Sequence, residues 1–122
     1  MRRKVMGKSM TYYHNPRCQK SRQGLEILEK KGASFTVFEY LKTPLKKTQL
    51  KALFKKLQKK PEEVIRKKET LFKELKLKDK KLTQDQWIEI LIKNPKLLER
   101  PILESDSKAV VGRPPEEIKA LL

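Results

Sequence analysis

The chain has 122 residues, a length typical of one domain with a hydrophobic core. It carries 31 basic and 15 acidic residues, a net charge of +16. Its apolar residues recur at regular spacing, which argues against disorder, and no apolar run reaches the roughly 20 residues that span a bilayer. We therefore expect no membrane association. The charge has two explanations, solvated lysine faces or an anionic partner.

The termini and the cysteine count give further expectations. Residues 1–8 are basic but precede no long apolar stretch, so they do not resemble a signal peptide and are expected to form a flexible basic tail. Residues 9–122 are expected to form a single domain. Cys18 is the only cysteine, which excludes an internal disulfide, and the single histidine gives no zinc spacing. A free thiol is typical of proteins in the reducing cytoplasm, so we expect this location. A monomer without bound metal or cofactor is the default expectation.

The composition of residues 10–40 predicts a strand, a helix and a second strand. Residues 10–14 are aromatic and β-branched, as strands are. Residues 19–31 carry Leu25 and Leu28 at helical spacing. Residues 34–40 again have strand composition. Because a helix connects the two strands, they are expected to be parallel, with a right-handed crossover.

The middle of the chain predicts helices. Four apolar residues follow the spacing i, i+3, i+4, i+7, with lysines on the opposite face: Leu50, Leu53, Phe54 and Leu57. Pro61 begins a second short helix, and a third surrounds Phe72. Thr83 and Gln86 fit a capping box in front of a helix that Pro95 ends.

The last third returns to strands. Residues 101–104 and 109–111 predict a hairpin, and Pro114 opens a final helix because proline suits the first helical turn. The expected element order is β-α-β-α-α-α-β-β-α. This is an α/β, thioredoxin-like layout with a helical insertion.

Cys18 lies where the first strand turns into the first helix. A thiol there faces the positive end of the helix dipole and its unpaired N–H groups, which favour the reactive thiolate and can also bind an oxyanion. The alternative, a buried structural cysteine, fits poorly between Arg17 and Lys20. Ser21 occupies the position of a second thiol in a Cys-x-x-Cys motif. Any redox cycle therefore needs an external thiol.

Three arginines are candidate oxyanion ligands. Arg66 lies in the middle section, whereas Arg100 and Arg113 each precede a proline at the start of a predicted element. Arginine binds oxyanions through two parallel hydrogen bonds, which lysine does less well. Surface charge is the alternative explanation.

Polar neighbours of the cysteine complete the candidates. His14 could accept a proton, stabilise a thiolate or hydrogen-bond the turn, and a purely structural role is equally open. Asn15 could cap the turn, and Ser21 could bond backbone amides or an anion.

The motifs around these residues resemble those of the ArsC family of glutaredoxin-coupled arsenate reductases, within the ArsC/Spx superfamily. The resemblance covers about residues 10–122 and rests on motifs in the same order along the chain: 13–22 (YHNPRCQKSR), 40–44 (YLKTP), 65–67 (IRK), 94–102 (NPKLLERPI) and 112–116 (GRPPE).

This resemblance implies a role for each candidate. Cys18 would be the nucleophile, and three arginines would hold the arsenate or the thiol–arsenic adduct: Arg66, Arg100 and Arg113. The supporting residues would be His14, Asn15, Ser21, Arg22 and Pro101. The Arg100–Pro101 peptide bond would be cis and face the active site.

The implied activity is reduction of arsenate to arsenite through a Cys18 adduct, with glutathione as co-substrate and glutaredoxin as partner. The alternative is a binding regulator of transcription like the Spx proteins, although Ser21 removes the Cys-x-x-Cys switch of that group. Nucleic-acid binding through charge alone is not favoured, because the lysines lie opposite apolar stripes and the aromatic residues resemble core positions.

Overall fold

The structure, a computed structural model, describes residues 10–78 and 80–122. The chain divides into two compact units. Of the described residues, those up to Thr43 and Arg100–Leu122 form the first unit, and those within Pro44–Glu99 form the second. The first unit contains a four-stranded sheet. The expected tail, residues 1–8, lies outside the described residues.

The sheet has the order β2-β1-β3-β4. Its strands are β1 (Met10–Tyr13), β2 (Phe35–Phe38), β3 (Ile102–Glu104) and β4 (Ala109–Val111). β1 pairs with β2 in parallel and with β3 in antiparallel register, so that Tyr12 lies opposite Val37 on one side and Leu103 on the other. β3 and β4 form the predicted antiparallel hairpin. The parallel β1–β2 pair confirms the predicted strand-helix-strand unit.

One face of this sheet packs against two helices. These are helix α1 (Gln19–Lys30) and a C-terminal 3₁₀ helix (Pro115–Leu121). The buried cluster between them consists of Met10, Tyr12, Leu28, Leu103 and Ile118. The expected final helix is therefore present but has 3₁₀ geometry, a form common in short terminal pieces.

Gly24 lets Tyr12 cross helix α1 at close range. A Cβ atom at Gly24 would overlap the Tyr12 hydroxyl and lie 3.4 Å from Cγ of Pro101. That hydroxyl donates a hydrogen bond to the Ser21 carbonyl oxygen at 2.6 Å. Glycine therefore stands in this helix despite its low helix propensity, because the Tyr12 hydroxyl occupies the space that a larger side chain would need.

The second unit is built from short helices. They are α2 (Lys47–Leu57), a 3₁₀ helix (Pro61–Val64), α3 (Thr70–Glu74), α4 (Gln84–Lys93) and a second 3₁₀ helix (Pro95–Leu97). The four apolar residues predicted to line one face of α2 are all buried. Thr83 caps α4 as predicted: the Gln86 N–H donates to its Oγ1 at 3.2 Å, and its own N–H donates to Gln86 Oε1 at 2.8 Å. Of the helices described, none is both long and apolar enough to cross a membrane.

Candidate functional site

The turn between β1 and α1 is fixed by its own hydrogen bonds. The Asn15 side-chain oxygen accepts from the Arg17 N–H at 3.0 Å, and the Asn15 carbonyl oxygen accepts from the Cys18 N–H at 3.0 Å. Arg22, one turn into α1, donates from Nη1 to the Pro16 carbonyl oxygen at 2.8 Å. Asparagine favours such turns because its side chain bonds the backbone two residues on. These hydrogen bonds therefore hold Cys18 at the start of the helix.

Cys18 is the N-cap residue of α1, with an extended backbone (φ −95°, ψ 123°). Its thiol is partly exposed. Burial raises the pKa of the Cys18 thiol, but the N–H of Ser21, the guanidinium of Arg100 and the N–H of Lys20 lower it, and the net shift of the pKa is downward. Free N–H groups at a helix start and a nearby cation both favour the charged form. The site therefore favours the thiolate.

The buried side chains of Ser21 and His14 also stabilise this turn. Ser21 is fully buried, and its Oγ accepts a hydrogen bond from the Asn15 N–H at 3.0 Å and lies 2.7 Å from Nδ1 of His14. Burial and the positive charge of Arg22 lower the pKa of His14, whereas Glu39 raises it, and the net shift is downward. At neutral pH the imidazole is therefore uncharged. Of the three roles open to His14 in the sequence, hydrogen bonding to the turn is the one this geometry provides.

Arg100 supplies the positive charge beside the sulfur. Burial lowers the pKa of its guanidinium, but Cys18 and Tyr40 raise it, and the net shift is upward. Its Nε is buried and has no hydrogen-bond acceptor within residues 10–78 and 80–122. The Arg100–Pro101 peptide bond is cis, as expected. Arg100 is thus a permanent cation beside the sulfur.

Arg113 lies next to Arg100. Its Nη1 donates to the Arg100 carbonyl oxygen at 3.0 Å, while the side chain stays exposed. Gly112 makes the approach possible, because a Cβ atom there would lie 2.9 Å from Cγ of Pro101 and 2.8 Å from Cγ2 of Ile118. The Gly112 N–H also donates to the Pro101 carbonyl oxygen at 2.8 Å. The two arginines that precede prolines therefore lie together in the first unit.

Arg66 belongs to the second unit. Its Nε is 3.3 Å from Oε2 of Glu69, and its Nη1 is 3.9 Å from Oε1 of Glu99. Its main-chain N–H donates to the Leu97 carbonyl oxygen at 2.7 Å. These contacts hold the side chain within its own unit, and its assignment as an oxyanion ligand stays a prediction.

The sequence reasoning missed Tyr40. This side chain is 1% exposed, and its hydroxyl raises the pKa of Arg100. The match of residues 40–44 to a family motif was the available signal, but it carried no chemical role. Tyr40 therefore joins the site as a partner of Arg100.

No group of three or more His, Cys, Asp or Glu side chains within the described part of the chain could hold a metal ion.

The chain is similar over most of its length to proteins of one family. The sequence model of the ArsC family matches residues 13–121. An arsenate reductase of Neisseria meningitidis serogroup B is 43% identical over 111 residues, which cover 90% of this chain and 95% of that protein. The uncharacterized protein YfgD of Escherichia coli K12 is 44% identical over 93% of this chain and 96% of its own length. A solved structure, the arsenate reductase from Vibrio cholerae, has a TM-score of 0.89 at 40% identity and covers 94% of this chain and 98% of its own. With its thioredoxin-like α/β fold and a family match over most of its length, the chain belongs to the ArsC family.

Proposed function

We propose that this protein is an arsenate reductase-like thiol enzyme in which the Cys18 thiolate attacks arsenic(V). The observation that carries the proposal is the surroundings of the sulfur. Two N–H groups of α1, from Ser21 and Lys20, and the Arg100 guanidinium all lower the pKa of the thiol. The thiolate is the nucleophilic form of cysteine, so these groups prepare Cys18 for attack at neutral pH.

The arginines suit an anionic, tetrahedral substrate. Arg100 keeps a buried Nε without an acceptor among the described residues, and Arg113 is anchored to the Arg100 carbonyl oxygen. Guanidinium groups bind arsenate-like oxyanions through parallel, charge-assisted hydrogen bonds. We assign Arg100 and Arg113 to oxyanion binding on this basis, and Arg66 on the family resemblance alone.

The proposed reaction balances with two external thiols. The Cys18 thiolate forms a sulfur–arsenic bond and displaces hydroxide, while arsenic stays in the +5 state. A glutathione thiolate then attacks the Cys18 sulfur. The sulfur–arsenic bond breaks, and its electron pair stays on arsenic, which leaves as arsenite. The product on the protein is a mixed disulfide between Cys18 and glutathione, which glutaredoxin reduces by attack on the glutathione sulfur.

The external thiols are needed because the chain has one cysteine. Ser21 stands where a resolving cysteine would stand, and its buried hydroxyl is bonded to the turn. Glutathione and glutaredoxin are the donors that the family resemblance suggests, and we propose both for this protein.

The direct test is arsenate-dependent NADPH consumption in a mixture of glutathione, glutaredoxin and glutathione reductase. Wild type should turn over, and Cys18→Ser should fall to the rate of the mixture without enzyme. Replacing glutaredoxin with a thioredoxin system should remove the activity if the donor assignment holds. Equal rates for wild type and Cys18→Ser would reject catalysis through this thiol.

A further inference from the structure

The second unit contains a lysine-lined pocket that the proposed chemistry does not use. Its volume is about 590 Å³, and it is lined by Lys67, Phe72, Lys73, Lys76, Leu77 and Lys78. This volume falls within the range of roughly 300–1,000 Å³ that small-molecule sites occupy. The pocket therefore has the size of a ligand site.

A smaller pocket of about 100 Å³ adjoins it, because the two share part of their lining, including Phe72 and Leu77. The smaller pocket adds four residues to the lining: Glu62, Ile65, Lys80 and Trp87. Trp87 is 3% exposed. Nε1 of Trp87 is buried and has no hydrogen-bond partner in the described part of the chain. Because this atom is buried, the ring of Trp87 is a neighbour of the pocket and not a hydrogen-bond donor to its contents.

The charge of the larger pocket is positive. Among the described residues, its lining contains four lysines and no carboxylate, whereas the lining of the smaller pocket includes Glu62. Within residues 10–78 and 80–122, Lys73 and Lys76 form no ion pair. Among the residues that the structure describes, no carboxylate therefore pairs with these two ammonium groups. Lysine acts as a compact point charge and is a common phosphate ligand.

The same pocket has an apolar wall. Phe72 is 7% exposed and Leu77 is 3% exposed, so each presents only a small part of its surface to the pocket. An inorganic anion would gain nothing from this wall. A ligand with both an apolar body and an anionic group would use the wall and the ammonium groups together.

We propose that this pocket binds a small organic phosphate. The phosphate group lies among the ammonium groups, and the apolar body covers Phe72 and Leu77, next to the ring of Trp87. The inference uses residues of the second unit alone and does not depend on the proposed reductase activity. It also gives part of the +16 net charge a specific role.

Trp87 offers a direct readout because it is the only tryptophan in the chain. Phenyl phosphate serves as the probe, titrated into the full-length protein while tryptophan emission is recorded. We expect a saturable change, with inorganic phosphate and phenol each binding at least about tenfold more weakly, since each offers one of the two contact types. The single indole N–H signal in the NMR spectrum should shift with the same dissociation constant.

Two pairs of substitutions distinguish binding in the pocket from a general effect of the protein's positive charge. Lys73→Gln with Lys76→Gln removes two ammonium groups from the lining. Lys93→Gln with Lys96→Gln is the matched control, since these exposed lysines lie in the same unit and outside both linings. Lys93 lies in the last turn of α4, as Lys73 lies in the last turn of α3. The first pair should weaken binding at least about tenfold, and the control pair less than about twofold.

Cys18→Ser should bind phenyl phosphate as wild type does, whether or not it retains turnover. The proposal is overturned by an absence of saturable binding, by inorganic phosphate binding as tightly as phenyl phosphate, by equal effects of the two lysine pairs, or by an indole signal that does not move.

Discussion

Arg113 donates a hydrogen bond from Nη1 to the main-chain carbonyl oxygen of Arg100 at 3.0 Å. The β3–β4 hairpin brings the two together, because Ile102 pairs with Val111 and the residues before and after that pair are adjacent in space. Arg113 therefore has two possible effects on the site: it offers a guanidinium to the substrate, and it positions the backbone of Arg100.

Substitution of Arg113 tests this relationship. Arg113→Ala removes a charge-assisted hydrogen bond of about 1.5–3 kcal/mol, so kcat/KM for arsenate should fall about tenfold or more. Arg113→Lys keeps the charge but loses the planar fork, and it should recover only part of the loss. Lys119→Ala, an exposed cation in the same unit, is the control and should leave kcat/KM unchanged. Full activity in Arg113→Ala would show that Arg113 does not take part in substrate binding.

His14 should titrate below the ordinary histidine pKa of 6.5, because burial and Arg22 outweigh the effect of Glu39 on its pKa. It is the only histidine, so the Cε1–H signal of its imidazole in the NMR spectrum is unique and reports its titration. A midpoint at or above 6.5 would contradict the buried, neutral assignment.

The same shift links His14 to stability. Because its pKa is lower in the folded state, the unfolded chain binds more protons once the pH falls below 6.5. The free energy of unfolding should therefore be highest above 6.5 and decrease as the pH falls toward the folded pKa. The comparison belongs in a Cys18→Ser background, since the Cys18 thiolate has its own lowered pKa. His14→Gln in that background should lose this part of the pH dependence.

Gly24→Ala should destabilise the protein although alanine is the better helix former. The added Cβ would overlap the Tyr12 hydroxyl, and overpacking costs about 1–3 kcal/mol against a helix gain of about 1 kcal/mol. In a Tyr12→Phe background the overlapping oxygen is gone, so the penalty should shrink. Urea unfolding of the four proteins of this cycle measures the coupling, and additive effects would show that the contact is unimportant.

The capping box of α4 gives a test within the second unit. Thr83→Ala removes the acceptor of the Gln86 N–H and should lower the free energy of unfolding by about 1 kcal/mol. Thr83→Ser keeps the hydroxyl and should stay close to wild type. Equal losses for both substitutions would mean that the methyl group, and not the hydrogen bond, matters.

Local features were predictable because few residues determine them. The Cys18 turn and the Thr83 capping box depend on side chains within a few positions of each other, and both are in place. The parallel pairing of β1 and β2 followed from the helix that connects them.

Contacts between distant residues were not predictable in the same way. Nothing near Gly24 in the sequence indicates that the Tyr12 ring would occupy the space of its side chain. Tyr40 lies sixty residues from Arg100, and only the folded chain brings its hydroxyl to that guanidinium. The hydrogen bond between Arg113 and Arg100 likewise depends on the hairpin register.

The pH dependence of Cys18 alkylation tests the central claim most directly, because it reports the thiolate without any assumption about substrate. Wild type should react with a pKa below the usual thiol value of about 8.5, and Arg100→Gln should move that pKa upward, since it removes the cation beside the sulfur. A wild-type pKa at or above about 8.5 that Arg100→Gln leaves unchanged would contradict the account.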